Sequence, residues 1–186
     1  MASKIIKKLF TYLFATLFMG NAVATGDPVL VLLPVYSSTP ELTANITSKL
    51  TAAGYSVTTH TGVPAGSLSS YKQIWDVRDP LFSNVRISSS DRNAYLTYLQ
   101  GGGSLFIMGE NTSCCNTRNT DIADMVSLAG GGTFGPFTND GGTPQTVRSP
   151  FNSNPNVMTT VSYSGGGLVA ANAMGSGSPI TSNSSG

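Results

Sequence analysis

The spacing of hydrophobic positions changes several times along the chain, and each change marks a predicted element. Val29-Leu30-Val31-Leu32-Leu33 is an unbroken aliphatic run without polar alternation, the pattern of a strand buried on both faces of a parallel sheet. Helical spacing follows. Thr39 suits an N-cap, Pro40 the first helical position, and Glu41 the positive end of the helix dipole. Leu42, Ile46, Leu50 and Ala53 share one face, and Gly54 supplies a left-handed stop. Tyr55 to His60 predicts a second strand, and Tyr71 to Val77 contains a third with Ile74, Trp75 and Val77 as its apolar members. A helix opening at Ser90 turns Ala94, Tyr95, Tyr98 and Leu99 inward and stops at Gly101-Gly102-Gly103, ahead of a fourth strand from Ser104 to Met108. Asn119 or Thr120 caps a further helix with Ile122, Met125, Val126 and Ala129 inward, closed by Gly130-Gly131-Gly132. Strands alternating with amphipathic helices predict an α/β fold with a doubly wound, mainly parallel sheet.

Beyond Gly132 the periodicity weakens. Phe134 to Phe151 is rich in Gly, Pro, Asn and Thr and reads as an extended loop region with at most short strands. Val157 to Tyr163 and Leu168 to Ala171 are the next strand candidates, with a hairpin across Gly165-Gly166-Gly167 as one way to join them. Residues 175–186 are Gly/Ser/Asn-rich without periodicity and read as a disordered tail or linker. A chain ending this way is expected to be truncated relative to a full doubly wound domain. The other end is a targeting segment: Lys4, Lys7 and Lys8 precede an apolar run from Leu9 to Met19, and Ala22-Val23-Ala24 supplies a signal-peptidase pattern. That run falls short of the about 20 residues a bilayer-spanning helix needs. The expected organisation is therefore a signal peptide over 1–24, an α/β domain over 25–174 and the tail. The destination is periplasmic or extracellular.

Charge narrows the function classes. Removing the leader and its three lysines leaves seven Lys/Arg against nine Asp/Glu, a net −2 with no basic cluster. Nucleic-acid binding is not expected, nor is a membrane span after cleavage. The two cysteines, Cys114 and Cys115, are adjacent and cannot staple distant segments; a vicinal disulfide, two free thiols and an intermolecular bond all remain open.

The stretch Tyr95 to Asn111 runs from helix through the glycine stop into a hydrophobic strand ending in Gly109-Glu110-Asn111. With the order of elements around it, over roughly Asp27 to Gly132, it resembles the class I glutamine amidotransferase-like group. The resemblance implies a flavodoxin-like fold and, in catalytic members, a cysteine at the centre of a Gly-x-Cys-x-Gly elbow with a histidine and an acidic residue later in the chain. Here Asn111 stands at the nucleophile's place and Ser113 at the second glycine's, while the single histidine, His60, precedes the elbow. A working amidotransferase triad is not expected.

Ligands of open α/β sheets sit at the carboxyl ends of the strands, which points to Glu110, Asn111, Asp76 and Asp79 as a binding edge. Three carboxylates at one edge are of the oxygen-donor type that Ca²⁺ takes, but no EF-hand or repeat-type loop accompanies them, and solvated carboxylates are the simpler reading. No metal site or cofactor is expected. The glycine triplets follow helices rather than opening them, unlike phosphate loops. Cys114 or Cys115, activated by Arg118 or a helix N-terminus and paired with His60 as base, is the enzymatic alternative. The leading expectation is an exported, non-catalytic domain that binds a small molecule, glycan or protein as a module of a cell-surface or secreted protein; a cysteine-dependent hydrolase or transferase, and a structural spacer, are the alternatives.

Overall fold

The computed structural model describes residues 26–33, 40–78, 86–140, 142, 144–153, 157–162 and 166–183. The leader, the Thr39 cap and Asp79 lie outside them. Four strands, β1 (Pro28–Leu33), β2 (Ser56–Thr61), β3 (Gln73–Asp76) and β4 (Ser104–Ile107), form one sheet in the order β2-β1-β3-β4. Every neighbouring pair is parallel. Three helices accompany it: α1 (Pro40–Ala52), α2 (Ser89–Gln100) and α3 (Thr112–Val126). This is an α/β arrangement around an all-parallel sheet.

The aliphatic run behaves as its lack of alternation predicts. Val29, Leu30, Val31 and Leu32 are all 0% exposed, because β1 is central and covered on both faces. Leu30, Leu32 and Ile74 face Tyr95 and Tyr98 of α2 and Ile122 and Met125 of α3. Val29, Val31 and Val77 face Leu50 and Ile46 of α1. Two helices thus pack on one face and one on the other. Ala53 and Ala129, expected to point inward, are exposed.

The start of α3 differs from expectation. It begins at Thr112 rather than after Asn119, because the Asn111 side chain accepts the Ser113 N–H at 3.1 Å and caps the helix there. Cys115 departs from helical geometry (φ −134°, ψ 31°), so a kink separates the first turn from the rest. The cysteines therefore sit at the start of this helix. Similarly, α2 is capped by Ser88, whose hydroxyl accepts the Asp91 N–H at 3.1 Å.

Past α3, a π turn (Ser127–Gly131) leads into short strands: β5 (Phe137–Asp140), β6 (Gln145–Val147), β7 (Thr160–Val161), β8 (Gly166–Val169) and β9 (Thr181–Ser182). The hairpin across Gly165-Gly166-Gly167 is not what forms. β8 pairs antiparallel with β5, and β7 pairs with β6, so the two candidate strands join different sheets. The region from Phe134 to Phe151 supplies β5 and β6. Within the stretch read as a tail, β9 closes the second small sheet against β6.

Candidate functional site

The strand order reverses between β1 and β3, and in open α/β sheets a ligand crevice opens at such a switch point, at the carboxyl ends of the strands. The residue that ends β3 there is Asp76, and it is 0% exposed. Its carboxylate is surrounded by donors. Arg78 binds it side-on, with Nε and Nη2 both at 2.8 Å, and adds its own backbone N–H at 3.2 Å. The Tyr95 hydroxyl donates at 2.8 Å from α2, and Nη2 of Arg118 on α3 lies 3.2 Å away. Arg78 also reaches Asp91 at 3.1 Å, and Arg118 Nε donates to the Met108 carbonyl at 2.8 Å. Two arginines and two aspartates thus close a neutral cluster joining β3, α2, α3 and the end of β4.

The electrostatics follow from this packing. Burial alone would raise the Asp76 pKa, but the Arg78 hydrogen bonds and the Arg118 and Arg78 charges outweigh it and hold the carboxyl below its ordinary value. Burial would likewise strip the proton from Arg78, yet Asp76 keeps the guanidinium firmly charged. The Tyr95 phenol is pushed up, first by burial and then by the Asp76 charge. All three groups keep their usual protonation at neutral pH, and the cluster is a clasp between elements rather than an acid–base pair.

A second clasp holds the segment before α2. Arg86 donates to Asp121 of α3 at 2.8 Å, and the Ile87 N–H donates to the same carboxylate at 2.9 Å. Burial acts to raise the Asp121 pKa, but the Arg86 and Ile87 hydrogen bonds outweigh it and lower it.

At the end of β4 the polar turn is filled by its own residues. The Asn119 side chain accepts the Glu110 N–H at 3.0 Å and donates back to the Glu110 carbonyl. Glu110 Oε1 in turn accepts the Asn111 N–H at 2.8 Å and its side-chain amide at 3.1 Å. Asn139 of β5 adds a second cap, accepting the Thr112 N–H at 2.6 Å. Two glycines allow the close fit: a Cβ on Gly109 would stand 2.8 Å from Asn119 Oδ1, and one on Gly167 2.7 Å from the Glu110 carbonyl oxygen.

Glu110 and Asn111 are brought together, half-buried, at this turn. Asp76 lies nearby on the adjacent strand, but as the buried centre of the clasp rather than a solvated carboxylate. Asp79 falls outside the described residues. His60 is exposed at the end of β2 and bonds the Gly62 carbonyl at 2.8 Å. Since β2 and β4 are opposite edges of the sheet, about 14 Å of strand spacing separates His60 from this turn. Cys115 is 1% exposed and disulfide-bonded; a sulfur in that state is not a nucleophile. The side chain of Cys114 is outside the described set. Among the described residues no three His, Cys, Asp or Glu side chains gather as metal ligands, and no helix is long and apolar enough to cross a membrane.

The sequence reading missed Arg78, Tyr95 and Asp121 as polar partners. Asp76-x-Arg78 at a strand end was the only local signal, since the other partners arrive from helices far along the chain. Compared with protein-family models, curated proteins and solved structures, the chain has no match.

Proposed function

We propose that this chain is an exported, non-catalytic domain of flavodoxin-like build that binds a ligand or partner at the carboxyl edge of its sheet, around Glu110 and Asn111. The likeness to the class I glutamine amidotransferase-like group enters here as ancestry of the scaffold, not as activity. The observation that carries the reading is the role of Asn111. At the place where an elbow nucleophile would stand, its side chain accepts the Ser113 N–H and donates to Glu110. The helix N-terminus that would otherwise activate a nucleophile is occupied by two asparagine caps. Neither a histidine base nor a free Cys115 thiol stands beside it.

Thermal unfolding of the purified protein against a panel of glycans, nucleotides and divalent cations tests this reading. A binder present at about 100 times its dissociation constant stabilises by about 2.7 kcal/mol, and Glu110→Ala should abolish the shift. No shift with any of them would favour a structural spacer instead. Hydrolysis of amide or ester substrates that disappears in Cys114→Ala or Cys115→Ala would overturn the non-catalytic reading.

A further inference from the structure

The lateral edge of the sheet at β4 carries an inference separate from the carboxyl edge. All-parallel sheets are ordinarily covered on both faces, yet α1 packs over β1 and β2, leaving Phe106 of β4 45% exposed on the same face. Phe106 stacks on half-buried Trp75 of β3, with ring centroids 4.8 Å apart and planes at 29°. β4 is also the last strand of its sheet. The Met108 N–H bonds the Asp76 carbonyl, so alternation sends the N–H and C=O groups of Leu105 and Ile107 outward from the sheet. Natural edge strands are usually guarded by charge, proline or a bulge. From Gly101 to Met108 there is no charged residue and no proline.

We propose that this edge pairs with the same edge of a second copy, antiparallel about a two-fold axis at Phe106. Among the described strands only β3 pairs with β4; β5 and β8, and β7, β6 and β9, form two separate sheets that do not extend it. The outward groups fit a two-fold register. Leu105 of one copy and Ile107 of the other exchange both backbone hydrogen bonds, and the symmetric pair repeats the exchange. Phe106 then faces its own counterpart as a non-hydrogen-bonded pair, with Cα atoms about 4.5 Å apart. The Trp75–Phe106 stack continues across the axis into a row of four rings. An uncharged edge meets an uncharged edge, so no like charges oppose each other in the contact. The pairing is isologous and closes at two.

Sedimentation equilibrium of the purified protein over a wide concentration range reads the dimer directly. Phe106→Lys and Phe106→Glu, at an exposed position, should each weaken self-association at least about tenfold by placing like charges opposite each other. Mixing the two variants should restore a dimer. Phe106→Cys should cross-link under mild oxidation, because the expected Cα separation suits a disulfide. Ser104→Cys should not, since Ser104 lies opposite Met108 in this register. A protein that stays monomeric throughout overturns the proposal and leaves the edge to a different partner. A dimer indifferent to both charged variants, or Ser104→Cys cross-linking as fast as Phe106→Cys, overturns it as well. None of these outcomes bears on ligand binding at Glu110.

Discussion

The parallel sheet and the small antiparallel sheets that follow it are held together by different means. Around the sheet, β1 is sealed on both faces, a buried clasp at Asp76 ties β3 to two helices, and a partly exposed one at Asp121 ties the segment before α2 to α3. Beyond Met125, Val147 is the one buried apolar side chain among the described residues, while Phe151, Val157, Met158 and Ile180 are exposed. Buried polar groups, Gln145 and Ser182, accompany Val147 there. The first region draws its stability from the removal of apolar area from water. The second rests on backbone pairing, and its β5–β8 sheet is attached to the first through the Asn139 cap and the Phe137 ring packed against the cluster that holds Ile122 and Met125.

The largest break in that comparison should come at the first region's clasp. Asp76→Ala leaves Arg78 and Arg118 buried without their shared carboxylate and should cost about 3–5 kcal/mol in urea unfolding. The same carboxylate sets an acid limb. Its folded pKa lies below the ordinary 3.8, so the unfolded chain takes up the proton first as pH falls. The stabilisation is complete above about pH 4 and is lost as the pH drops towards the folded value; Asp76→Ala should lack this contribution.

Core truncation should separate the regions next. Leu32→Ala, in the fully buried strand, should cost about 2–5 kcal/mol, and Val147→Ala about 1 kcal/mol. Equal losses would mean that the small sheets carry a core as complete as the first. Asn139→Ala should bring a loss of the same small size, about 1 kcal/mol. It removes a helix cap and a tether together, so hydrogen exchange should rise across β5 and β8 more than across β1. Uniform protection would show that the tether is not what joins the two regions.

What could be read from the chain alone follows the same division. β1 announced itself through five aliphatic residues in a row, and α1 and α2 through apolar faces with glycine stops; these signals are local and strong. The glycine-rich stretch after Gly132 has no comparable signal. Its strands are two to four residues long and are specified by partners as distant as Gln145 and Val161 or Val147 and Thr181. The α3 start was misplaced for a related reason. Asn111 resembled a displaced catalytic position, and its capping role becomes visible only once Ser113 and Asn139 are placed around it.

By itself the sequence determined the alternation of strand and helix, the burial of β1 and the polar Glu110-Asn111 turn after β4, because periodicity and residue chemistry are properties of neighbours along the chain. Tertiary structure alone decided that Asp76 is the centre of a buried clasp, that His60 stands at the opposite edge of the sheet, and that β4 is left with an uncovered aromatic face. Each of those depends on strand order and on side chains meeting across long separations, which no local pattern encodes.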